Sequence, residues 1–163
     1  MNRSLKVINN NYKLFEELED KKIDTLAKAF EKNAYEKPYL DLLGTRDDSQ
    51  PGRPYVWKSY SEVNEIATHY TRGCMKLGML PEIKGDGRTF RFMGIYAKNR
   101  EEWIITDIAN MKNAVTTVAF YDTLGPAAVE FVINQTELTS ISCSGNYVPG
   151  LIKLKEEGKA QTI

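Results

Sequence analysis

Few residues of this chain are suited to catalysis or ligand binding, and most of those fail on spacing. Gly145 and Gly150 have the glycine spacing of a phosphate-cradling loop, but Leu151 and Ile152 stand where lysine and a hydroxyl residue are needed. Without them no cation meets the β- and γ-phosphates and no hydroxyl meets magnesium. Gly85-Asp86-Gly87-Arg88-Thr89-Phe90 begins like a dinucleotide fingerprint, yet it precedes a strand pattern, and Phe90 sits at the third glycine. His69 is the only histidine. It falls on the charged face of an amphipathic segment, with no second His or Cys spaced to complete a metal site. There is no G-x-S-x-G, so a serine nucleophile on a strand-to-helix elbow is excluded. Glu16-Glu17, Glu101-Glu102 and Glu156-Glu157 fall at helix starts or on polar faces, where helix-terminus electrostatics accounts for them. Cys74 and Cys143 read as reduced core thiols, not as a disulfide. No residue is therefore assigned a catalytic or metal-ligating role.

Tyr121-Asp122-Thr123 survives this sorting. It ends a β-branched run, at the C-terminal end of a strand, where open α/β sheets place their ligand crevices. The three residues are candidates for cofactor binding. Their competing role is structural: Asp122 or Thr123 would cap the helix that begins near Pro126.

Periodicity gives the framework around this site. Asp24 is placed to cap a helix from Thr25 to about Lys32, with Leu26, Ala29 and Phe30 on one face. Tyr39–Arg46 and Tyr55–Trp57 read as a hairpin around the Pro51-Gly52 turn cluster. Ser59 and Glu62 have capping-box spacing and open the clearest helix. Its stripe is Tyr60, Val63, Ile66, Ala67, Tyr70, Cys74 and Leu77, and Gly78 stops it. On that reading Ile66→Ala costs about 2 to 4 kcal/mol. Pro81 to Arg88 reads as a loop and Phe90–Ala97 as a strand. Asn99 and Glu102 repeat the capping-box spacing before a helix that turns Trp103, Ile104, Ile108 and Met111 inward. Val115–Tyr121 reads as a buried parallel strand. A helix then opens at Pro126, with Val129, Phe131, Val132 and Ile133 as its apolar surface. Thr139–Cys143 is a strand, Val148–Glu157 a helix, and Gln161-Thr162-Ile163 the start of a further strand. Strands near 91, 115, 139 and 161 with a helix in every gap predict an α/β fold, a mostly parallel sheet with helices on both faces. Residues 1–23 read as a polar arm, with Tyr12, Phe15 and Leu18 spaced for one amphipathic turn.

Composition narrows the function classes. Lys+Arg and Asp+Glu are 22 each in 163 residues, so no basic excess supports a nucleic-acid partner. No apolar run is long enough for a transmembrane segment, and the N-terminus has no apolar core or cleavage site of a secretory signal.

The stretch from Phe92 to Gly145 resembles the N-terminal part of long-chain fatty-acid–CoA ligases, members of the AMP-binding, adenylate-forming superfamily. The matching pieces are Gly94-Ile95-Tyr96, Lys98-Asn99-Arg100, Glu102-Trp103-Ile104 and Tyr121-Asp122-Thr123-Leu124-Gly125-Pro126. Leu43-Gly44-Thr45-Arg46 and Trp57-Lys58-Ser59-Tyr60-Ser61-Glu62-Val63 extend the likeness upstream. The resemblance covers about residues 24–163 and implies an incomplete N-terminal part of the ligase large domain. In that family ATP activates a fatty acid to an acyl-adenylate, and coenzyme A then takes the acyl group as a thioester. ATP, magnesium and coenzyme A are the implied cofactors, and fatty acid, ATP and coenzyme A the implied partners, of a full-length member. The Ser/Thr/Gly-rich phosphate loop ending in Pro-Lys-Gly is not found here, and the family's later catalytic segments would fall beyond Ile163. The expectation is an N-terminal piece that binds no cofactor and makes no thioester alone, cytoplasmic or peripheral on the cytosolic face of an intracellular membrane, with membrane-surface association open to it. The alternatives are a stand-alone, non-catalytic α/β module of that fold, binding a ligand or protein, and a small flavodoxin-like nucleotide binder. The missing phosphate loop counts against the last.

Overall fold

The computed structural model of the chain describes residues 22–163. The amphipathic turn expected at Tyr12, Phe15 and Leu18, and nearly all of the arm, lie outside them. Helix α1 spans Leu26–Glu36 and is followed by strands β1 (Asp41–Arg46) and β2 (Tyr55–Ser59) and helix α2 (Tyr60–Lys76). A short pair comes next, β3 (Ile83–Gly85) and β4 (Arg88–Phe90), then β5 (Phe92–Tyr96), α3 (Glu101–Lys112), β6 (Thr116–Phe120), α4 (Pro126–Gln135), β7 (Ile141–Cys143) and α5 (Val148–Glu156). A 3₁₀ turn, Gly145–Tyr147, leads into α5.

The main sheet has three strands in the order β6-β5-β7, all parallel. Phe92 pairs with Thr116 and Gly94 with Ile141. β5 is thus central, and the strands near 115 and 139 flank it on either side. The period-2 alternation of β5 sorts its side chains between two cores. Met93 packs with Cys74, Leu80 and Val115 below α2 and α3. Tyr96 packs with Phe120, Val129, Ile133 and Leu138 below α4 and α5. This is the expected α/β sandwich with helices on both faces. Gly94 lies on the α4/α5 side, where an added Cβ would stand 2.9 Å from both Ile141 and Leu138.

Four helices end alike. Gly78, Ala114, Glu137 and Gly158 have φ of 69°, 53°, 50° and 73°. The next residue's amide donates five residues back in each case: Met79 to Cys74, Val115 to Asn110, Leu138 to Ile133, Lys159 to Leu154. This is the Schellman closure, which satisfies carbonyls that the helix end leaves free.

Several local expectations need correction. The N-cap of α1 is Thr25, whose hydroxyl accepts from the Lys28 amide at 3.2 Å. Asp24 instead pairs with the Lys28 ammonium, and Leu26 is exposed. The capping box at Ser59 and Glu62 is present. Of the α2 stripe, Val63, Ala67 and Cys74 are buried, but Ile66 is 38% and Leu77 75% exposed. Ile66 lies one residue, about 100°, off the buried line through Val63, Ala67 and Thr71. Helix α3 has no capping box: Arg100 is the N-cap, without a side-chain bond, and Glu102 is drawn away to the Arg100 guanidinium. Its buried face is Ile105, Thr106, Ile108, Ala109 and Asn110, while Ile104 is exposed. Phe131 on α4 is also exposed. The expected 81–88 loop is a hairpin, because Asp86 and Gly87 both take positive φ, the signature of a type I′ turn. β6 is less buried than expected because it is an edge strand. Gln161-Thr162-Ile163 forms turns, not a strand.

Burial lowers the cost expected at Ile66 and moves the larger one to Ile133. Ile133→Ala, at a fully buried site, should lose about 2 to 5 kcal/mol in urea denaturation. Ile66→Ala should lose about 1 kcal/mol or less. A larger loss at Ile66 than at Ile133 would mean that the two faces have been misassigned.

Candidate functional site

Parallel strands send their following helices to the two faces of the sheet, and crevices open where neighbours diverge. β5 continues into α3 on one face, and β6 into α4 on the other. Between them lies a crevice of about 410 Å³, bordered by Lys98, Asn99, Trp103, Tyr121 and Asp122. The structure therefore brings Tyr121 and Asp122 together with the Lys98-Asn99 segment. Asp122 stands 3.8 Å from the Lys98 ammonium, and Tyr121 is 71% exposed. Thr123 lies in the turn beyond, exposed. Neither Asp122 nor Thr123 caps α4. The N-cap is Gly125, with no side-chain bond, because two further residues separate the pair from the first helical turn.

A larger cleft, about 690 Å³, opens between β1 and the segments after β5 and β7, with Thr45, Arg46, Arg100, Ser144 and Tyr147 on its walls. Arg100 grips Glu102 through two bonds of 2.6 Å and reaches Ser144 Oγ at 3.5 Å. The guanidinium beside it holds the Glu102 carboxyl below the usual carboxylate range, and Glu102 raises Arg100 in turn. Glu101 accepts from Lys58 at 2.8 and 2.9 Å and from the Thr45 hydroxyl at 2.8 Å. Tyr96 stacks on Tyr147 with ring centroids 3.9 Å apart. Burial, then the neighbouring Tyr147 and Asp122, push the Tyr96 phenol up, so it stays protonated at neutral pH. Burial also pushes the Cys143 thiol up, away from the thiolate a nucleophile needs.

The site thus offers three cations, Arg46, Lys98 and Arg100, with an amide, hydroxyls and aromatic faces. Groups of these types are able to bind and orient a polar ligand. Among the described residues, no cluster of three His, Cys, Asp or Glu is placed to hold a metal. The Arg100–Glu102 grip, the Glu101 bonds and the Tyr96–Tyr147 stack escaped sequence reasoning. Glu101-Glu102 directly after Lys98-Asn99-Arg100 was a usable signal, since opposite charges so close on a strand-to-helix turn tend to pair.

No protein-family model matches the chain. Over 139 residues it is 32% identical to the peroxisomal acyl-CoA ligase 891 of Penicillium brevicompactum, a match covering 83% of this chain and 19% of that protein. It is 31% identical to long-chain-fatty-acid–CoA ligase 5 of Rattus norvegicus over 119 residues, 73% of this chain and 16% of that protein. The N-terminal domain of FACL13 from Mycobacterium tuberculosis, solved with an inhibitor bound, shares the fold at a TM-score of 0.67 and 16% identity, covering 85% of this chain and 32% of that chain. The chain spans about a fifth of the length of the curated relatives it matches.

The position of the cap separates two roles by stability. Ser59→Ala removes a true cap and should cost about 1 kcal/mol. Asp122→Ala, an exposed residue outside any cap, should stay within about 0.5 kcal/mol of the parent. Thermal or urea melts of the two variants check this, and an equal loss at Asp122 would restore its capping role.

Proposed function

Since this chain is a homologue of the acyl-CoA ligases, the long-chain fatty-acid enzymes among them, we propose that residues 24–163 form part of the large N-terminal domain of an ATP-dependent long-chain fatty-acid–CoA ligase, with residues 1–23 as an arm. The observation that carries this reading is the match at 32% identity across 83% of the chain. In the whole enzyme the fatty-acid carboxylate attacks the α-phosphate of ATP, giving acyl-adenylate and pyrophosphate. The thiol of coenzyme A then displaces AMP and leaves as the thioester. Clamping of a triphosphate by a phosphate loop and magnesium supplies most of the rate in such chemistry. This chain contributes the framework on which that clamp is set: a rigid parallel sheet whose C-terminal edge carries Lys98, Tyr121 and Asp122 beside a ligand crevice.

The 163 residues alone are accordingly inactive, since no segment of the sequence matches the family's phosphate loop. No helix among the described residues is long and apolar enough to cross a membrane. The protein works in the cytoplasm or peripherally on the cytosolic face of an intracellular membrane, where long-chain fatty acids partition, and needs no nucleic-acid partner.

Two assays with fatty acid, ATP, magnesium and coenzyme A test the reading, with AMP and thioester as readouts. The purified chain should give neither above blank. A chimaera in which residues 24–163 replace the matching segment of a relative such as the Penicillium ligase should turn over. Thioester formed by the chain alone, or a folded chimaera without activity, would overturn it.

A further inference from the structure

The β1–β2 hairpin is a separate two-stranded sheet with no strand pairing to the main sheet. One end is anchored. Leu42 and Leu43 pack against the Val63–Ile105 core, and the Tyr60 amide donates to the Leu40 carbonyl. Away from that end, Tyr55, Val56 and Trp57 are each about half exposed. Between the anchored and exposed parts one carboxylate ties both strands to the rest of the molecule. Glu101, its side chain only 18% exposed, holds Lys58 of β2 and Thr45 of β1 at once. It also opens α3, where a carboxylate is favoured by the helix dipole. Its chain neighbour Arg100 reaches Ser144 on the far side of the 690 Å³ cleft. Two consecutive residues therefore fasten two opposite walls of that cleft.

We propose that Glu101 is a latch that holds the β1–β2 hairpin as one wall of the cleft, and that releasing the latch frees the hairpin and opens the cleft while the main sheet stays intact. The physical basis is uneven local stability: a two-stranded sheet is marginal by itself, and segments with few buried apolar contacts open well before the core does. The latch bonds two strands to one helix, so its loss acts on both strands beyond the Leu42–Leu43 anchor. The carboxamide of Glu101→Gln can keep a bond to Thr45 but loses the charge that holds Lys58.

Amide hydrogen exchange on the full chain tests this, independently of the ligase reading because no turnover is needed. In Glu101→Gln, amides of residues 44–46 and 55–57 should exchange about tenfold faster or more than in the parent, with residues 92–96 unchanged. Lys58→Met should give the same pattern, and the double variant should be no faster than the faster single one, as members of one interaction are non-additive. Unchanged hairpin exchange would overturn the proposal. So would equal acceleration of hairpin and β5, which marks global destabilisation, or fully additive effects of the two substitutions.

Discussion

The fold hangs on the absence of a side chain at Gly94. Ile141, Leu138 and Phe120 converge on the space a Cβ would fill, at 2.9, 2.9 and 3.1 Å. Those three belong to both neighbouring strands and the approach to one of them. Their convergence draws β6 and β7 onto β5 and brings the cover of α4 and α5 down on the sheet. A larger residue there would push apart side chains packed at interior density, where little can move without cost. On the other face the same strand sends Met93 and Ile95, both nearly inaccessible, towards α2 and α3. One five-residue strand thus serves two cores.

The candidate site is a by-product of that arrangement. Because β5 and β6 hand their chains to opposite faces, the ground between their C-terminal ends cannot be filled by either helix. The polar residues Lys98 and Asn99 collect there because the loop must be solvated, and Tyr121 and Asp122 because the next helix starts later, at Pro126. Lys98 faces Asp122 and Arg100 grips Glu102, while burial pushes the Tyr96 phenol and the Cys143 thiol up.

Legibility in the sequence depended on the range of the deciding interaction. The α/β alternation, the parallel strands, the Ser59–Glu62 capping box and the glycine stops at Gly78 and Gly158 rest on neighbours in the chain and could be read directly. The sequence also resembles the ligases whose relatives match it. Ile66, Ile104 and Phe131 could not be placed, since period alone leaves a helix face uncertain by one residue and only the partner surface decides. Arg100 and Glu102 confounded a local rule: capping-box spacing was present, but a guanidinium two residues away outcompeted the backbone amide for the carboxylate. The Asp86-Gly87 turn is legible as a two-residue hairpin signal, although its polar surroundings have the composition of a loop. The bonds of Glu101 span 43 and 56 residues and have no local signature.

Ala114 and Glu137 end α3 and α4 in a conformation that suits glycine. A left-handed backbone costs an ordinary residue roughly 1 to 2 kcal/mol, so neither helix is stopped there by its own preferences. The stop is imposed by the next residue along the chain in each case. Val115 and Leu138, both buried, must leave in the right direction to enter the two cores. Each helix and the strand after it are therefore one cooperative unit. The end of α3 is therefore fixed by the packing of Val115 on Cys74, Leu80 and Met93, contacts distant along the chain, and not by the last turn of the helix itself.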